Sequence, residues 1–354
     1  MPADHPAFGS CPAPLVDDER IQLGHGSGGR LTQRLLEQLI LPAFANPVLD
    51  RREDQAVLEL PAVPGERLAF TTDSFVVSPL FFPGGDIGKL AVHGTINDLA
   101  MAGARPRWLS LAFILEEGLP LAILRRVVAS IAEAAQACGV HIVTGDTKVV
   151  GNGQADQLFI NTSGVGVVPP GLSLGAAAVR PGDAVLISGT LADHGLAVLA
   201  AREQLGIDSE LQSDTAPLHE LVHALLGSGV QLRCLRDPTR GGLAAALSEI
   251  AARAQVDFEI DETALPMHAP VRGACELLGL DPLLVANEGK LVAIVAPDDA
   301  ERALRALRAH PLGRNSALIG HASHGGTGEI IIRTAIGGQR ILELPLSDPL
   351  PRIC

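Results

Sequence analysis

Hydrophobic residues recur along the first half of the chain in two spacings, one typical of strands and one of helices. Apolar runs and alternations predict strands at 54–60, 68–77, 108–114, 140–144 and 158–168. Leucines three and four residues apart predict a helix from Arg30 to Ile40 that ends at Pro42. Two more helices are predicted, over 86–101 before Gly103 and from Pro120 to Gly139.

The second half repeats this alternation after a proline-rich junction at 168–171, which predicts a hinge. Its predicted helices lie near 191–205, 215–227, 241–254 and 298–309, and its predicted strands near 184–188, 230–235, 256–260, 290–296 and 329–333. Pro349 and Pro351 keep the chain end extended because proline disfavours helix. The pattern therefore predicts an α+β chain with four parts. They are an unstructured extension at 1–20, domains at 21–168 and 169–336, and a flexible tail at 337–354.

Composition narrows the class of protein. Hydrophobic residues make up 47% of the 354 positions and aromatic residues only 3%, so a large core must consist of Ala, Val, Leu and Ile. A net charge of −13 disfavours nucleic acid as a partner. The five cysteines are odd in number and widely spaced, which favours a reduced, cytoplasmic location over a disulfide framework. No apolar run is long enough for a membrane span, and the first 20 residues do not resemble a signal peptide.

A glycine-rich loop, Gly24–Gly29, precedes the first helix and matches G-x-G-x-x-G. The backbone N–H groups of such a loop can cover phosphates, with Gly26, Gly28 and Gly29 as the candidate contacts. By itself the match is equally consistent with a flexible linker, because neither a dinucleotide fold nor a Walker A loop is indicated around it.

Acidic residues lie at the ends of several predicted elements and suggest a magnesium site. The candidates are Asp54, Asp73, Asp98 and Asp146 in the first half and Asp237 at a helix start in the second. Mg²⁺ prefers several oxygen ligands, and carboxylates from separate elements can bridge it to phosphates. Each aspartate alone is as easily explained as a helix cap or a turn former.

Lys148, with Thr147 beside it, can offset charge on a phosphoryl group, and Glu288 at a strand edge can serve as a catalytic carboxylate. Cys354 is the final residue of the tail, where packing does not require a thiol, and Arg352 nearby favours the thiolate. The histidines are expected to be ordinary polar or packed residues.

Taken together and in order, these motifs resemble the HypE family of nickel–iron hydrogenase maturation proteins, which belong to the PurM-like ATP-binding superfamily. The likeness covers roughly residues 20–354 and rests on GHGSGGR (24–30), TTDSFVV (71–77), FPGGDIGK (82–89), NDLAM (97–101), TGDTKV (144–149), RDPTRGG (236–242), NEGK (287–290) and PRIC (351–354). One departure is Glu53, where the family often has a second aspartate before its alanines.

This resemblance implies a PurM-like two-domain fold in which the N-terminal mixed α/β domain forms the sheet of a homodimer. It implies ATP with Mg²⁺ held by Asp54, Asp73, Asp98 and Asp237. It also implies a reaction in which the C-terminal cysteine, Cys354, receives a carbamoyl group and the group is dehydrated to thiocyanate. Its implied partners are a HypF-type carbamoyltransferase and an iron-carrying scaffold complex of the HypC–HypD type, and its product is the cyanide ligand of the hydrogenase iron.

In this reaction ATP would convert the carbamoyl oxygen into a phosphate leaving group, with Lys148 offsetting charge on the transferred phosphoryl group. Either Asp146 or Glu288 could take a proton. Two alternatives stay open: a related ATP-dependent enzyme of the selenophosphate synthetase or aminoimidazole ribotide synthetase type, and a non-enzymatic ATP-binding scaffold. The former typically carries a reactive Cys or selenocysteine in the glycine-rich loop, and neither alternative explains the sequence at 351–354.

Overall fold

The computed structural model describes residues 19–26, 30–51, 64–205, 211–345, 350, 352 and 353. The first sheet has four strands in the order β1-β6-β4-β5. They are β1 (Arg67–Phe75), β4 (Arg105–Glu116), β5 (His141–Val150) and β6 (Leu158–Val168), and a short hairpin pairs β2 (Phe81–Phe82) with β3 (Gly85–Asp86). Strand β6 is antiparallel to both of its neighbours, whereas β4 and β5 are parallel.

The helices of this part are α1 (Arg30–Leu35), α2 (Leu41–Ala43), α3 (Ile87–Met101) and α4 (Leu121–Ala137). A π turn, Leu36–Ile40, joins α1 to α2. Asp86 caps α3 by accepting hydrogen bonds from the Gly88 and Lys89 N–H groups at 2.7 and 3.1 Å. At Gly88 a Cβ atom would lie 2.8 Å from a backbone oxygen of α4, so glycine lets α3 and α4 approach closely.

The second sheet has seven strands in the order β13-β12-β9-β11-β7-β10-β8. They are β7 (Ala184–Ile187), β8 (Leu232–Arg236), β9 (Asp257–Asp261), β10 (Val292–Val295), β11 (Ala317–Ser323), β12 (Ile330–Arg333) and β13 (Gln339–Ile341). The helices of this part are α5 (Asp193–Glu203), α6 (His219–Gly227), α7 (Gly242–Ala254), α8 (Ala269–Leu278) and α9 (Ala300–Ala309). Strands β7 and β10 are buried along their whole length, which explains their continuous apolar sequences.

One apolar cluster joins the two parts of the molecule and the chain end. It contains Ile87 and Leu124 from the first part, Leu196 and Val271 from the second, and Ile353 from the tail. Burial of these side chains holds the two parts against each other, and their seam is where the candidate site lies.

The mixed α and β fold predicted from the sequence is confirmed, and the predicted strand over 158–168 has the observed bounds. The predicted strand over 54–60 lies outside the described residues. Helix α8 and strand β11 were not predicted. Among the described residues, no helix combines the length and the apolar character that crossing a bilayer requires.

Candidate functional site

Two acidic residues of the first part lie where β1 contacts α3, Asp73 on the strand and Asp98 on the helix. Side chains alternate along a strand, so Thr71, Asp73 and Phe75 share one face. Thr71 Oγ1 donates a hydrogen bond of 2.6 Å to Asp98 Oδ2 on α3, and the Ser74 N–H donates one of 2.8 Å to Asp73 Oδ1. The strand and the helix thus present Asp73 and Asp98 together.

Two more acids come from the second part, where Asp237 follows β8 and Glu288 precedes β10. Buried Asn287 fixes both loops, because its Nδ2 donates to the Pro238 carbonyl oxygen at 2.9 Å. The Glu288 N–H donates to Asp214 Oδ1 at 3.0 Å, so the backbone of the catalytic candidate is also held.

Asn97 of α3 crosses the seam and brings the two pairs of acids together. Its Nδ2 donates to the carbonyl oxygens of Ala216 and Glu288 at 3.1 and 3.2 Å, and its Oδ1 accepts from the Leu218 N–H at 2.8 Å. Asp73, Asp98, Asp237 and Glu288 are called the acid cluster below.

The acids of this cluster repel one another and are poorly solvated. Burial raises the pKa of Asp237 to about 7, and the charges of Asp98 and Asp73 add to the rise. Burial also raises the pKa of Glu288 well above its usual value, with further contributions from Asp214, Asp237 and Asp73. The pKa of Asp73 is raised by burial and by Asp98, and burial raises that of Asp98. A cation at this point would relieve the repulsion.

The residues fit a magnesium ion that is shared with phosphates. Glu288 Oε1 is buried without a hydrogen-bond partner, so an oxygen is left for a ligand. Within the described part of the chain, no three His, Cys, Asp or Glu side chains are close enough to hold a metal by themselves. This is expected for Mg²⁺, which keeps several waters and is usually held by one or two carboxylates plus substrate phosphates.

Asp146, Thr147 and Lys148 lie on β5, away from the acid cluster of the same chain. Strands β1 and β5 are opposite edges of the four-stranded sheet, about 14 Å apart at three strand spacings. Asp146 and Lys148 form an exposed ion pair of 3.1 Å and share a face with Ala112 and Ile114 of β4, not the face that contacts α3. The family resemblance predicts that all these residues belong to one nucleotide site, and a single chain does not bring them together.

A cavity of about 470 Å³ lies between the α1–α2 segment and β5. Its wall includes Thr32, Phe44, Phe113, Thr147 and Lys148. The described part of the glycine-rich loop is a 3₁₀ turn, Leu23–Gly26, which packs against β5 beside this cavity. Gly26 therefore lies near β5, the strand of Lys148. The other candidates in the glycine-rich loop, Gly28 and Gly29, lie outside the described residues, and so do Asp54 and Cys354.

Three residues near the acid cluster were not singled out by the sequence. Burial raises the pKa values of Asp73 and Glu288, and the positive charge of exposed Arg240 partly offsets both rises. A cationic side chain therefore lies near these acids. Lys290 forms a buried ion pair of 3.0 Å with Asp214, whose pKa is lowered by Lys290 and His194 against the effect of burial. Arg240 and Lys290 both belong to motifs that carry the family resemblance, so this resemblance was the sequence signal that could have identified them.

Helix α6 contains the H-E-x-x-H spacing of zinc hydrolases, in the sequence His219-Glu220-Leu221-Val222-His223. The expectation that the histidines are ordinary polar or packed residues did not take this spacing into account. The structure does not support a zinc site there. Glu220 Oε1 lies between the two rings, 3.6 Å from His219 Nε2 and 3.9 Å from His223 Nδ1. No third acidic, histidine or cysteine ligand completes the pair among the described residues.

The described end of the tail lies in the seam between the two parts of the molecule. Leu350 and Ile353 are buried, and Arg352 forms an ion pair with Asp156. The Ser78 N–H and the Arg202 guanidinium both donate to the Arg352 carbonyl oxygen, at 3.3 and 2.6 Å. The chain end is thus held by both parts of the molecule.

Known proteins resemble this chain in both sequence and structure. The N-terminal and C-terminal domain models of the AIR synthase related protein family match residues 52–168 and 180–333. The carbamoyl dehydratase HypE of Cupriavidus necator is 54% identical over 339 residues, which are 96% of this chain and 96% of that protein.

Solved structures give the same result. A crystal structure of the hydrogenase maturation protein HypE in complex with ATP matches with a TM-score of 0.89 at 49% identity, covering 94% of this chain and 99% of that one. A HypE–HypF complex matches with a TM-score of 0.76 at 47% identity, covering 88% of this chain and 99% of that one.

Proposed function

The chain belongs to the HypE family of carbamoyl dehydratases, and we propose that it uses ATP to dehydrate an S-carbamoyl group on its own Cys354 to a thiocyanate. The observation that carries this proposal is the docked chain end. Ile353, the residue before Cys354, is 2% exposed, and its carbonyl oxygen lies 3.0 Å from Nε2 of His194. His194 lies close to Asp214, which accepts a hydrogen bond from the N–H of Glu288. A protein that only bound ATP would not need its terminus there.

The proposed reaction converts R–S–C(=O)NH₂ and ATP into R–S–C≡N, ADP, phosphate and a proton. The carbamoyl oxygen attacks the γ-phosphorus and ADP leaves. Loss of the phosphate with its oxygen, and of both amide protons, then forms the C≡N bond. An amide oxygen is a poor leaving group, so phosphorylation is the step that makes the dehydration possible.

Asp73, Asp98 and Asp237, together with Asp54, would hold Mg²⁺ on the phosphates of ATP. The ion would offset charge on the phosphoryl group during its transfer. Arg240 at the rim adds a second positive charge near the same oxygens. Both roles agree with the mutual repulsion of the acids, which a cation would relieve.

Of the two candidate bases, the structure favours Glu288 over Asp146. Glu288 is buried and its Oε1 has no hydrogen-bond partner, whereas Asp146 is exposed and paired with Lys148. A carboxylate whose pKa is raised is a stronger base once it has lost its proton.

We further propose that the site is completed by a second copy of this chain. Among the described strands of the first sheet, β1 is at an edge, and it exposes Phe70 by 71% and Leu68 by 52% on the face that carries Asp146 and Lys148. Large apolar side chains exposed next to each other on a sheet face favour an interface with another chain. In a homodimer that pairs these faces, Thr147, Lys148 and the glycine-rich loop of one protomer can approach the acid cluster of its partner.

The remaining partners are proposed from the family. A HypF-type carbamoyltransferase would supply the carbamoyl group, and a HypC–HypD type scaffold would receive the cyano group for the iron of a hydrogenase, in the cytoplasm. A domain boundary near 168 agrees with the separation of the two sheets between β6 and β7.

The proposal is tested by coupling ADP formation to the tail. With ATP, Mg²⁺ and a carbamoyl-transfer system, the wild-type chain should form ADP in proportion to the carbamoyl groups it has received. Cys354→Ala should form ADP only at the background rate, and Cys275→Ala, whose thiol is buried and has its pKa raised to about 11, should match the wild type. ADP formation by Cys354→Ala at the wild-type rate would contradict the proposal.

A further inference from the structure

His194 holds the last backbone carbonyl before Cys354. Its Nε2 lies 3.0 Å from the Ile353 carbonyl oxygen, and its Nδ1 lies 2.8 Å from Ser213 Oγ. The carbonyl carbon of Ile353 is bonded directly to the nitrogen of Cys354. The histidine is therefore hydrogen-bonded to the peptide group that joins Ile353 to Cys354.

The two hydrogen bonds define the tautomer of the ring. A carbonyl oxygen can only accept, so Nε2 carries the proton and donates to Ile353. In the neutral ring Nδ1 then accepts from the Ser213 hydroxyl, and that hydroxyl oxygen accepts from the Thr215 N–H at 3.2 Å. Burial lowers the pKa of His194, which agrees with a neutral ring, although Asp214 opposes the shift.

The surroundings of His194 hold its ring rigidly at the seam. The residue has no exposed surface, and the Phe82 ring meets it edge-on at 5.4 Å between centroids. The Ser213 N–H donates to the Pro83 carbonyl oxygen at 2.8 Å, which ties the histidine's partner to the first part of the molecule. Asp214 lies close to the ring and accepts a hydrogen bond of 3.0 Å from the N–H of Glu288.

We propose that His194 is a positioning residue for the dehydration: its Nε2–H anchors the Ile353 carbonyl and so sets the place of the group on Cys354 beside the acid cluster. This inference rests on the proposed function for its chemistry, whereas the anchoring itself does not. The tail must also leave the seam to receive a carbamoyl group, and the bond to His194 would then be released together with the contacts that Ser78, Arg202 and Asp156 make with Arg352.

Two variants separate anchoring from packing. In His194→Gln the side-chain amide nitrogen can reach the position of Nε2 and still donate to Ile353. In His194→Asn the shorter amide can replace Nδ1 at Ser213 but does not reach Ile353. Both place an amide in the same pocket, so a loss caused only by altered packing would affect both. The exposed His321→Asn on β11 serves as a control.

The first measurement is the alkylation rate of Cys354 in a Cys11→Ser background, without ATP. Cys138, Cys234 and Cys275 are buried and their pKa values are raised, so they stay silent. We expect His194→Asn to speed alkylation of Cys354 by roughly 3- to 10-fold, the worth of one hydrogen bond. His194→Gln and the control should remain within about 2-fold of the wild type. Equal rates in all four chains, each with an unchanged Tm, would overturn the anchor.

The second measurement is single-turnover dehydration after carbamoylation. His194→Asn should accept the carbamoyl group as the wild type does but form thiocyanate at least about 10-fold more slowly, because misplacement of a reacting group is costly. His194→Gln should restore most of the rate. Normal dehydration by His194→Asn would overturn the positioning role. If the wild type forms no thiocyanate while alkylation still depends on His194, the proposed function fails and the anchor stands.

Discussion

Asp237 shows how one residue can serve ligand binding and oppose stability. Its pKa is raised to about 7, so the folded protein binds its proton more tightly than an unfolded chain with the ordinary value of 3.8. Between these two pKa values stability falls as the pH rises, because the native state holds the extra proton. Above pH 7 the native carboxylate is charged and repelled by Asp98 and Asp73.

Asp237→Asn should therefore raise the Tm of the nucleotide-free protein at pH 8, by about 2–4 °C, and weaken Mg²⁺–ATP binding at the same pH. For the wild type, Mg²⁺–ATP affinity should fall up to about 10-fold from pH 8 to pH 6, since a metal ligand must be deprotonated. The variant should show a flatter pH dependence. Calorimetry at both pH values checks this, and a wild-type affinity that is independent of pH would contradict it.

Glu288 and Lys148 are expected to act on the reaction and not on nucleotide affinity. Glu288→Gln keeps the volume of the side chain but removes the base, and Lys148→Ala removes a positive charge. Both variants should accept a carbamoyl group and bind ATP within about 3-fold of the wild type, yet convert the adduct at least about 100-fold more slowly. Mass spectrometry over time would show the carbamoyl form persisting. Normal conversion by either variant removes that residue from the mechanism.

At the scale of elements, the sequence predicted those whose pattern is local. Strand β6 alternates buried and partly buried residues, and α3 carries its own cap at Asp86, so both could be predicted from the chain alone. Helix α8 was missed because Pro270 and Gly273 interrupt its pattern, and its buried stripe is only Val271, Ala274 and Cys275. Strand β11 mixes Gly320 and His321 with apolar residues, and only pairing with β7 and β9 makes it a strand.

The acid cluster could be listed from the sequence, but its arrangement could not. Asp73 and Asp98 come together through the Thr71 bond between β1 and α3, and Asn97 joins them to Glu288 across the seam. Such contacts link residues up to 191 positions apart, which no local pattern encodes. The same is true of β5, whose place at the far edge of the sheet depends on strand order.

In the proposed homodimer, we expect two protomers to share each site. Mixing Asp73→Ala chains with Lys148→Ala chains, each nearly inactive alone, should restore activity through heterodimers. Half of the dimers would be mixed and each would keep one intact site, so the mixture should reach roughly a quarter of wild-type activity. If both residues serve one site from the same chain, mixing restores nothing. Mixing Asp73→Ala with Asp98→Ala is the control and should also stay inactive, because both residues belong to one acid cluster.

Mass spectrometry of the full chain with a carbamoyl-transfer system shows whether Cys354 carries the reacting group. Without ATP we expect a gain of about 43 Da, and with Mg²⁺–ATP a subsequent loss of about 18 Da, as the carbamoyl group becomes a thiocyanate. Both changes should map to the C-terminal peptide and vanish in Cys354→Ala. An adduct on Cys11, Cys138, Cys234 or Cys275, or an adduct on Cys354 that never loses water, would contradict the account.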